Sequence, residues 1–408
     1  MTKMESDPTL LAEVRKYGQF DPNACFQCGS CTVICNLANE SVSFPRRIMR
    51  YIMFGLRKLT LSSLEPWLCY YCGDCSTRCP RETEPGEAMM TLRRYLTAKY
   101  DWTGISALLY KSKLLQIGAI LASAVFMIAL IVLFHGPFIT DRVELNTFAP
   151  AHLVHQFDLT VAALVMIILF SNVFRMYWFT MHQSDKVNPL AVIRGVIKNG
   201  LGFTMHDGRK VKIPLRLYIT QAWQLILHAA TQKKFLSCNN KSRWIKHWLI
   251  VVGYVIMFSL VVVFLEWFQT DNIYPIYHPQ RWVGYFATIV LVYFTAEILM
   301  GRIRKREEIH RFSDLTDWMF PGLLLLMTLS GIAVHIFRYL GFPLATYYIY
   351  SFHLIVAFSW LVIIVPFGKW THLLYRSLAV YFQAVKEKAI ERATEEQIPE
   401  EGVLDHAA

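Results

Sequence analysis

The chain has 408 residues, 54% of them hydrophobic and 14% aromatic, and its mean hydropathy is positive. That apolar share excludes an ordinary soluble protein and points to a chain with a large membrane-embedded part. The formal net charge of +11 calls for no nucleic acid, because lysines and arginines facing anionic lipid account for it and no nucleic-acid-binding motif occurs.

The apolar weight is unevenly spread, and residues 1–110 read as a soluble domain. Met1 to Asn23 mix Asp, Glu, Lys and Arg, with no apolar stretch of the kind a secretory signal carries. Two copies of one cysteine ladder follow. The first is Cys25-Phe-Gln-Cys28-Gly-Ser-Cys31-Thr-Val-Ile-Cys35, the second Cys69-Tyr-Tyr-Cys72-Gly-Asp-Cys75-Ser-Thr-Arg-Cys79-Pro80. In such ladders three closely spaced thiolates wrap one corner of an iron–sulfide cube, and the fourth reaches across to the other cube. One [4Fe–4S] cluster then takes Cys25, Cys28, Cys31 and Cys79, and a second takes Cys69, Cys72, Cys75 and Cys35. Structural zinc usually uses isolated C-x2-C pairs, and disulfides do not suit a reducing compartment. Eight of nine cysteines are thus committed, and Cys238 is left as an ordinary free thiol. Between the ladders, Phe44 to Leu56 mixes Arg46, Arg47 and Arg50 with Ile48, Met49, Tyr51 and Ile52 in a helical pattern. That predicts an all-α, helical ferredoxin domain, not a strand-paired one.

After Tyr110 come six apolar runs, each near the roughly 20 residues needed to cross a bilayer. They are 114–134, 159–180, 248–265, 282–300, 318–338 and 350–370. The expected organisation is a cluster domain at 1–110, a six-span membrane domain at 111–380 and a tail at 381–408. Segments 135–155, 269–281 and 339–349 hold only Arg142 and Arg281 as cations, whereas 181–247 and 301–317 are rich in them. The positive-inside rule therefore puts both termini, the cluster domain and segment 181–247 in the cytoplasm, at the cell's inner membrane. Within that segment, Ile213 to Ala230 has a helical alternation with Trp223 and Leu227 as anchors, to the bilayer surface or to a partner.

Clusters at one surface cannot reach the bilayer interior, and bis-histidine haem b is the usual relay. Matched depth pairs His247 with His372 at the inner side and His335 with His353 at the outer side, each pair on two helices. His135, His152, His155, His182 and His228 lie in loops or at borders and read as structural. Asp158, Glu266 and Glu297 are the acids in or bordering the spans, and an acid at such depth is a candidate for proton exchange. Glu266, at the outer depth, is the expected catalytic residue.

At these residues a resemblance enters. Ser242-Arg-Trp-Ile-Lys-His247-Trp-Leu-Ile-Val-Val-Gly253 and Pro366-Phe-Gly-Lys-Trp-Thr-His372 look like the haem-b subunit of respiratory nitrate reductase. The cluster domain resembles the small iron–sulfur subunit of heterodisulfide reductase. Their fusion is similar to the membrane subunit of the quinone-interacting membrane-bound oxidoreductase complex, Qmo. What the resemblance implies is two b haems, menaquinone as substrate, the flavin-binding, heterodisulfide reductase-like Qmo subunits A and B as partners, and electron exchange with adenylylsulfate reductase in dissimilatory sulfur metabolism. No G-x-G-x-x-G occurs, so flavin belongs on the partners. A heterodisulfide reductase-type complex and a purely structural anchor are the alternatives.

Three departures from the pattern stand out. Asn36, not Pro, follows the first ladder. The nitrate reductase pattern has a second ligand ten residues after His247, where this chain has Met257, so Met257 and His155 remain alternatives to His335. His353 and His372 are 19 residues apart instead of 18. The extra residue turns the second ligand by about 100°, and a kink or bulge near Pro366 and Gly368 would restore the face.

Overall fold

The computed structural model describes residues 5–39, 43–182, 202–204 and 210–396. It is mostly helical, 72% helix against 1% strand, as the sequence predicts. Contacts divide the chain into two interleaved compact units. One comprises Met1–Leu96, Val173–Cys238 and His372–Ala408; the other comprises Thr97–Asn172 and Asn239–Thr371.

The first unit opens with seven helices: α1 (Leu10–Arg15), α2 (Ser30–Val33), α3 (Arg46–Met53), α4 (Arg57–Leu61), α5 (Glu65–Leu68), α6 (Asp74–Thr77) and α7 (Pro85–Tyr100). Ile48, Met49, Tyr51 and Ile52 form the buried face of α3, the i, i+1, i+3, i+4 spacing that a half-buried helix requires. They share the interior with Leu10, Val14, Trp67, Met89 and Leu92. Several charges of this core are paired. Glu65, almost fully buried, accepts from Arg47 Nε at 2.7 Å, and the Arg94 guanidinium lies 3.2 Å from Glu87. Arg57 gathers Asp7, Glu13 and the Tyr95 hydroxyl. Hydrogen bonds from the side chain and backbone of Thr9, and then Arg57, hold the Asp7 carboxyl down at about 2.

In the same unit, residues 183–201 and 205–209 of the basic segment lie outside the described residues, as do 397–408 of the tail. A short antiparallel pair, Gly202–Thr204 with Lys210–Lys212, precedes a helix over Leu215–Thr231. Leu217 and His228 turn inward on that helix, while Leu215, Ile219, Trp223 and Ile226 form an exposed apolar stripe.

The second unit holds long apolar helices. Among the described residues, six helices are long and apolar enough to cross a membrane: Lys113–Phe134, Ala151–His182, Lys241–Val262, Pro279–Ile303, Leu315–Tyr339 and a run beginning at Pro343. The third packs on the fourth, the fourth on the fifth, the fifth on the sixth and the sixth on the first. Their outer faces expose Leu114, Leu121, Val125, Val132, Ile167 and Phe170. In water such surface would cost about 25 cal/mol per Å², and a hydrocarbon surrounding removes that cost.

The sixth run is not one regular helix. Pro343–Ser359 passes into a π-helical turn at Trp360–Ile364, then a short helical piece Val365–Phe367. Gly368 is extended (φ −109°, ψ −160°), and helix resumes at Thr371. A π turn accommodates one surplus residue, and Pro366 and Gly368 end regular helix because one lacks a donor and the other a side chain. The interruption lies between His353 and His372. Two acids in the spans are ion-paired within this unit: Glu297 with Lys246, and the buried Asp317 with Lys369.

Candidate metal centres

The two ladders repeat in conformation as well as in spelling. Gly29 (φ 87°) and Gly73 (φ 91°) each sit in the left-handed region as the residue before α2 and α6. Gln27 (φ 57°) and Tyr71 (φ 55°), two residues earlier, also have positive φ. The paired reversals coil each C-x2-C-x2-C run, so that its three sulfurs face one interior. Gly29→Ala and Gly73→Ala should each cost about 1–2 kcal/mol, since a Cβ there is forced into a disfavoured backbone region. The check is a lowered thermal midpoint with reduced iron retention in each variant.

The fourth cysteine of each run crosses over. A single cavity is lined by Cys25, Cys28, Cys31 and Cys79, together with Arg46, Met49 and Pro80. Burial pushes the Cys31 thiol up, and the nearby sulfurs of Cys25, Cys79 and Cys28 act the same way. Cys35 belongs to the other group: burial raises it to about 11, and its sulfur neighbours are Cys69 and Cys72. Cys75 is raised well above its usual range by burial, with Cys69, Cys72, Cys35 and Cys31 beside it. The structure therefore gathers two sets of four sulfurs, near enough that the charge of Cys31 also acts on Cys75. All nine cysteines are free of disulfides. Among the described residues no three or more His, Cys, Asp or Glu converge on a single-ion site.

Polar groups already point at these sulfurs. Gln27 Nε2 lies 3.5 Å from Cys25 Sγ, and the hydroxyls of Ser30 and Thr83 lie 3.3 Å from the sulfurs of Cys28 and Cys79. In the second set the Tyr71 N–H donates to Cys69 Sγ at 3.3 Å.

Whether a net-negative cube suits the second set is answered by the cations around it. Arg93 on α7 and Arg376 on the helix Thr371–Glu395 are 7% and 8% exposed. Both donate to the carbonyl of Cys69, Arg93 also to Pro66 O at 2.6 Å and Arg376 to Trp67 O at 3.1 Å. Arg376 lies 4.5 Å over the Tyr70 ring. Neither forms an ion pair with a carboxylate among the described residues, in a core that pairs Arg47 with Glu65 and Arg94 with Glu87. Burial, and then the charge of Arg376, pulls Arg93 down to about 9. An uncompensated buried charge costs several kcal/mol. Four thiolates around an iron–sulfide cube supply the missing negative charge, so the residues present fit the group.

The remaining cysteine is not solitary as the sequence suggests. Cys238 is buried near Cys72, whose sulfur, together with burial, holds its thiol well above the usual range. Tertiary contacts bring it there: Asn36 Nδ2 donates to Ser237 O at 2.9 Å, and Phe235 stacks on Tyr70 at 4.5 Å. His228, read from sequence as a border residue, is buried beside the Tyr70 hydroxyl at 3.4 Å. Burial, with Arg376 and Lys234 nearby, lowers it to about 4, so it is neutral at physiological pH.

The histidines expected to hold haem are placed individually. His353 accepts or donates through Nδ1 at 2.9 Å from Ser330 Oγ, and Gly331 leaves room for its ring, since a Cβ there would stand 3.1 Å from Cε1. An Nδ1 anchored by a neighbouring group is how a metal-binding imidazole is held. His335 instead engages Nε2 with the Tyr285 hydroxyl at 2.8 Å, its ring against Tyr285 and Tyr339. As placed, it does not offer that nitrogen to a haem. His155 also has Nε2 engaged, 2.9 Å from Val262 O. His247 lies in the first half of the span Lys241–Val262, and His372 is the second residue of the helix that follows the break at Gly368; both are half-buried. Glu266 is exposed on the short helix Leu265–Phe268 after the third span, Asp158 is half-buried in the second span, and Glu297 is tied to Lys246.

Residues 21–83 match a family model described as a 4Fe-4S dicluster domain. Neither a curated protein nor a solved structure matches the chain. The matched stretch covers both ladders and the α3–α5 insert between them. With six helices fit to cross a membrane, the chain is a multi-pass membrane electron-transfer protein.

Proposed function

We propose that this protein is the quinone-facing, electron-wiring subunit of a Qmo-type complex in the cytoplasmic membrane, with both termini in the cytoplasm. The observation carrying this reading is the gathering of eight ladder cysteines into two four-sulfur sets in a chain whose other unit is long apolar helices. When bound there, two [4Fe–4S] clusters supply one-electron transfer. The partners are flavin-binding subunits related to heterodisulfide reductase, and through them adenylylsulfate reductase. The substrate is menaquinol or menaquinone, in dissimilatory sulfur metabolism.

The chain's own residues divide the work. Cysteine thiolates hold each cube, the glycine reversals aim them, and Arg93 and Arg376 offset charge at the second. His247 and His372 are the candidates for an inner b haem, and the anchored Nδ1 of His353 supports its role in an outer one. His335 does not fit the fourth position as it stands, so no step is assigned to an outer haem. A reduced-minus-oxidised spectrum of the purified protein tests the haem reading: b-type bands support it, and their absence leaves only a cluster-bearing anchor.

Glu266 is the proposed proton-exchanging group, because it is exposed beside the mouth of the third span and carries no ion pair among the described residues. Quinol oxidation releases protons with its electrons, and a carboxylate at that depth can accept and pass them on. Glu266→Gln should slow reduction by a quinol analogue about a hundredfold or more while cofactor content stays normal. Glu297→Gln should instead cost stability, through the lost pair with Lys246. If Glu297→Gln alone blocks quinol reduction, the site lies elsewhere.

A further inference from the structure

The helix over Leu215–Thr231 has an outer face that neither the cysteine sets nor the histidines involve. Leu215, Ile219, Trp223 and Ile226 follow one another at i, i+4, i+8 and i+11, along one side of it. Each is more than half exposed. The other side is held in place. Leu217 and His228 are buried, the Tyr218 hydroxyl lies 3.1 Å from the Tyr177 hydroxyl, and Tyr381 donates to the Tyr218 carbonyl at 2.8 Å. The stripe is therefore fixed outward, and a contiguous apolar face of this kind marks a contact surface.

Charge and depth decide what covers it. Lys212 and Arg216 are exposed at the start of the helix, Lys233 and Lys234 just past its end, and residues 208–265 contain no Asp or Glu. Cations beside an apolar stripe suit anionic headgroups over hydrocarbon. Tyr177, which meets Tyr218, stands next to Trp178 near the end of Ala151–His182. That helix has 32 residues, about 48 Å against a hydrocarbon core of about 30 Å, so it extends beyond the core. Tyr and Trp favour the level at which a span leaves hydrocarbon. On the other side, only residues 232–240 separate the amphipathic helix from the span Lys241–Val262. We propose that the helix Leu215–Thr231 lies in the membrane interface, with Leu215, Ile219, Trp223 and Ile226 among the acyl chains of an anionic leaflet and the flanking cations against its headgroups. Contact of this kind makes the protein's hold on the bilayer sensitive to headgroup charge, which the apolar spans alone are not.

The experiment is photo-crosslinking of the full-length protein in liposomes of mixed phosphatidylglycerol and phosphatidylcholine. The photoreactive residue p-benzoylphenylalanine replaces Ile219 in one variant, Ile226 in a second and, as a control, Lys58, exposed on α4, in a third. Mass spectrometry after illumination should find lipid joined to the first two and none on the control, with phosphatidylglycerol enriched above its share of the bilayer. Replacing Lys212, Arg216, Lys233 and Lys234 together by Gln should abolish that enrichment. No lipid at either stripe position overturns the proposal, as do equally frequent adducts on the control, equal labelling of the two lipids, or enrichment that survives the fourfold change. Illumination in native membranes supplies the last arm. A cross-link from position 219 or 226 to a second protein, in place of lipid, overturns the proposal and makes the stripe a protein interface.

Discussion

Replacing Cys79 by Ser empties the cluster of the first ladder and spares that of its own. Cys79 follows Cys69, Cys72 and Cys75 in sequence, yet it lines the cavity shared by Cys25, Cys28 and Cys31. The wild type should carry about eight non-haem iron atoms, and the variant about four. Cys35→Ser should give the complementary loss, because Cys35 sits among Cys69 and Cys72. The two single variants then retain electron paramagnetic resonance signals of different clusters. If both variants lose the signal of their own ladder's cluster, the sulfurs do not cross over.

The second large effect concerns haem. His247→Ala and His372→Ala should each remove about one b haem per chain, since bis-histidine ligation fails when either imidazole is lost. The pyridine haemochrome content of each variant is the measurement, and equal losses in both are expected. Full haem in His247→Ala contradicts the pairing. His335→Ala is a sharper test of the outer pair, because its Nε2 is occupied by Tyr285. If that variant keeps both haems low-spin, Met257 or His155 takes the position.

Much of this was legible in the sequence for identifiable reasons. The ladders announce themselves because three of four ligands lie within one local turn, and the glycine after the second cysteine marks the left-handed reversal each turn needs. The spans are legible because a bilayer imposes a length and an apolar composition on a single stretch. The helical insert at 46–53 could be read from its arginine and isoleucine alternation, and the structure has it as α3.

What was not legible depends on distance along the chain. Arg376 lies 307 residues from Cys69, and nothing in the spacing of either ties them together. Cys238 looked like a leftover thiol because Asn36 and Tyr70, from a distant stretch of chain, hold its neighbours Ser237 and Phe235 beside the second ladder. The interleaving of the compact units likewise follows from three separate stretches meeting, which a reading in contiguous blocks does not capture. Glu297 looked like a candidate for proton exchange until its partner, Lys246 on the preceding span, was in view. A retrospective signal for Arg376 exists: it is a cation four residues after His372 on a helix whose Tyr375, Ala379 and Val380 are buried.

The central claim is that this membrane chain holds two [4Fe–4S] clusters in its eight ladder cysteines. Iron and acid-labile sulfide should be counted per chain in protein purified without oxygen. The expected result is about eight non-haem irons with a matching amount of sulfide. Zinc in place of iron, with no labile sulfide, would contradict it.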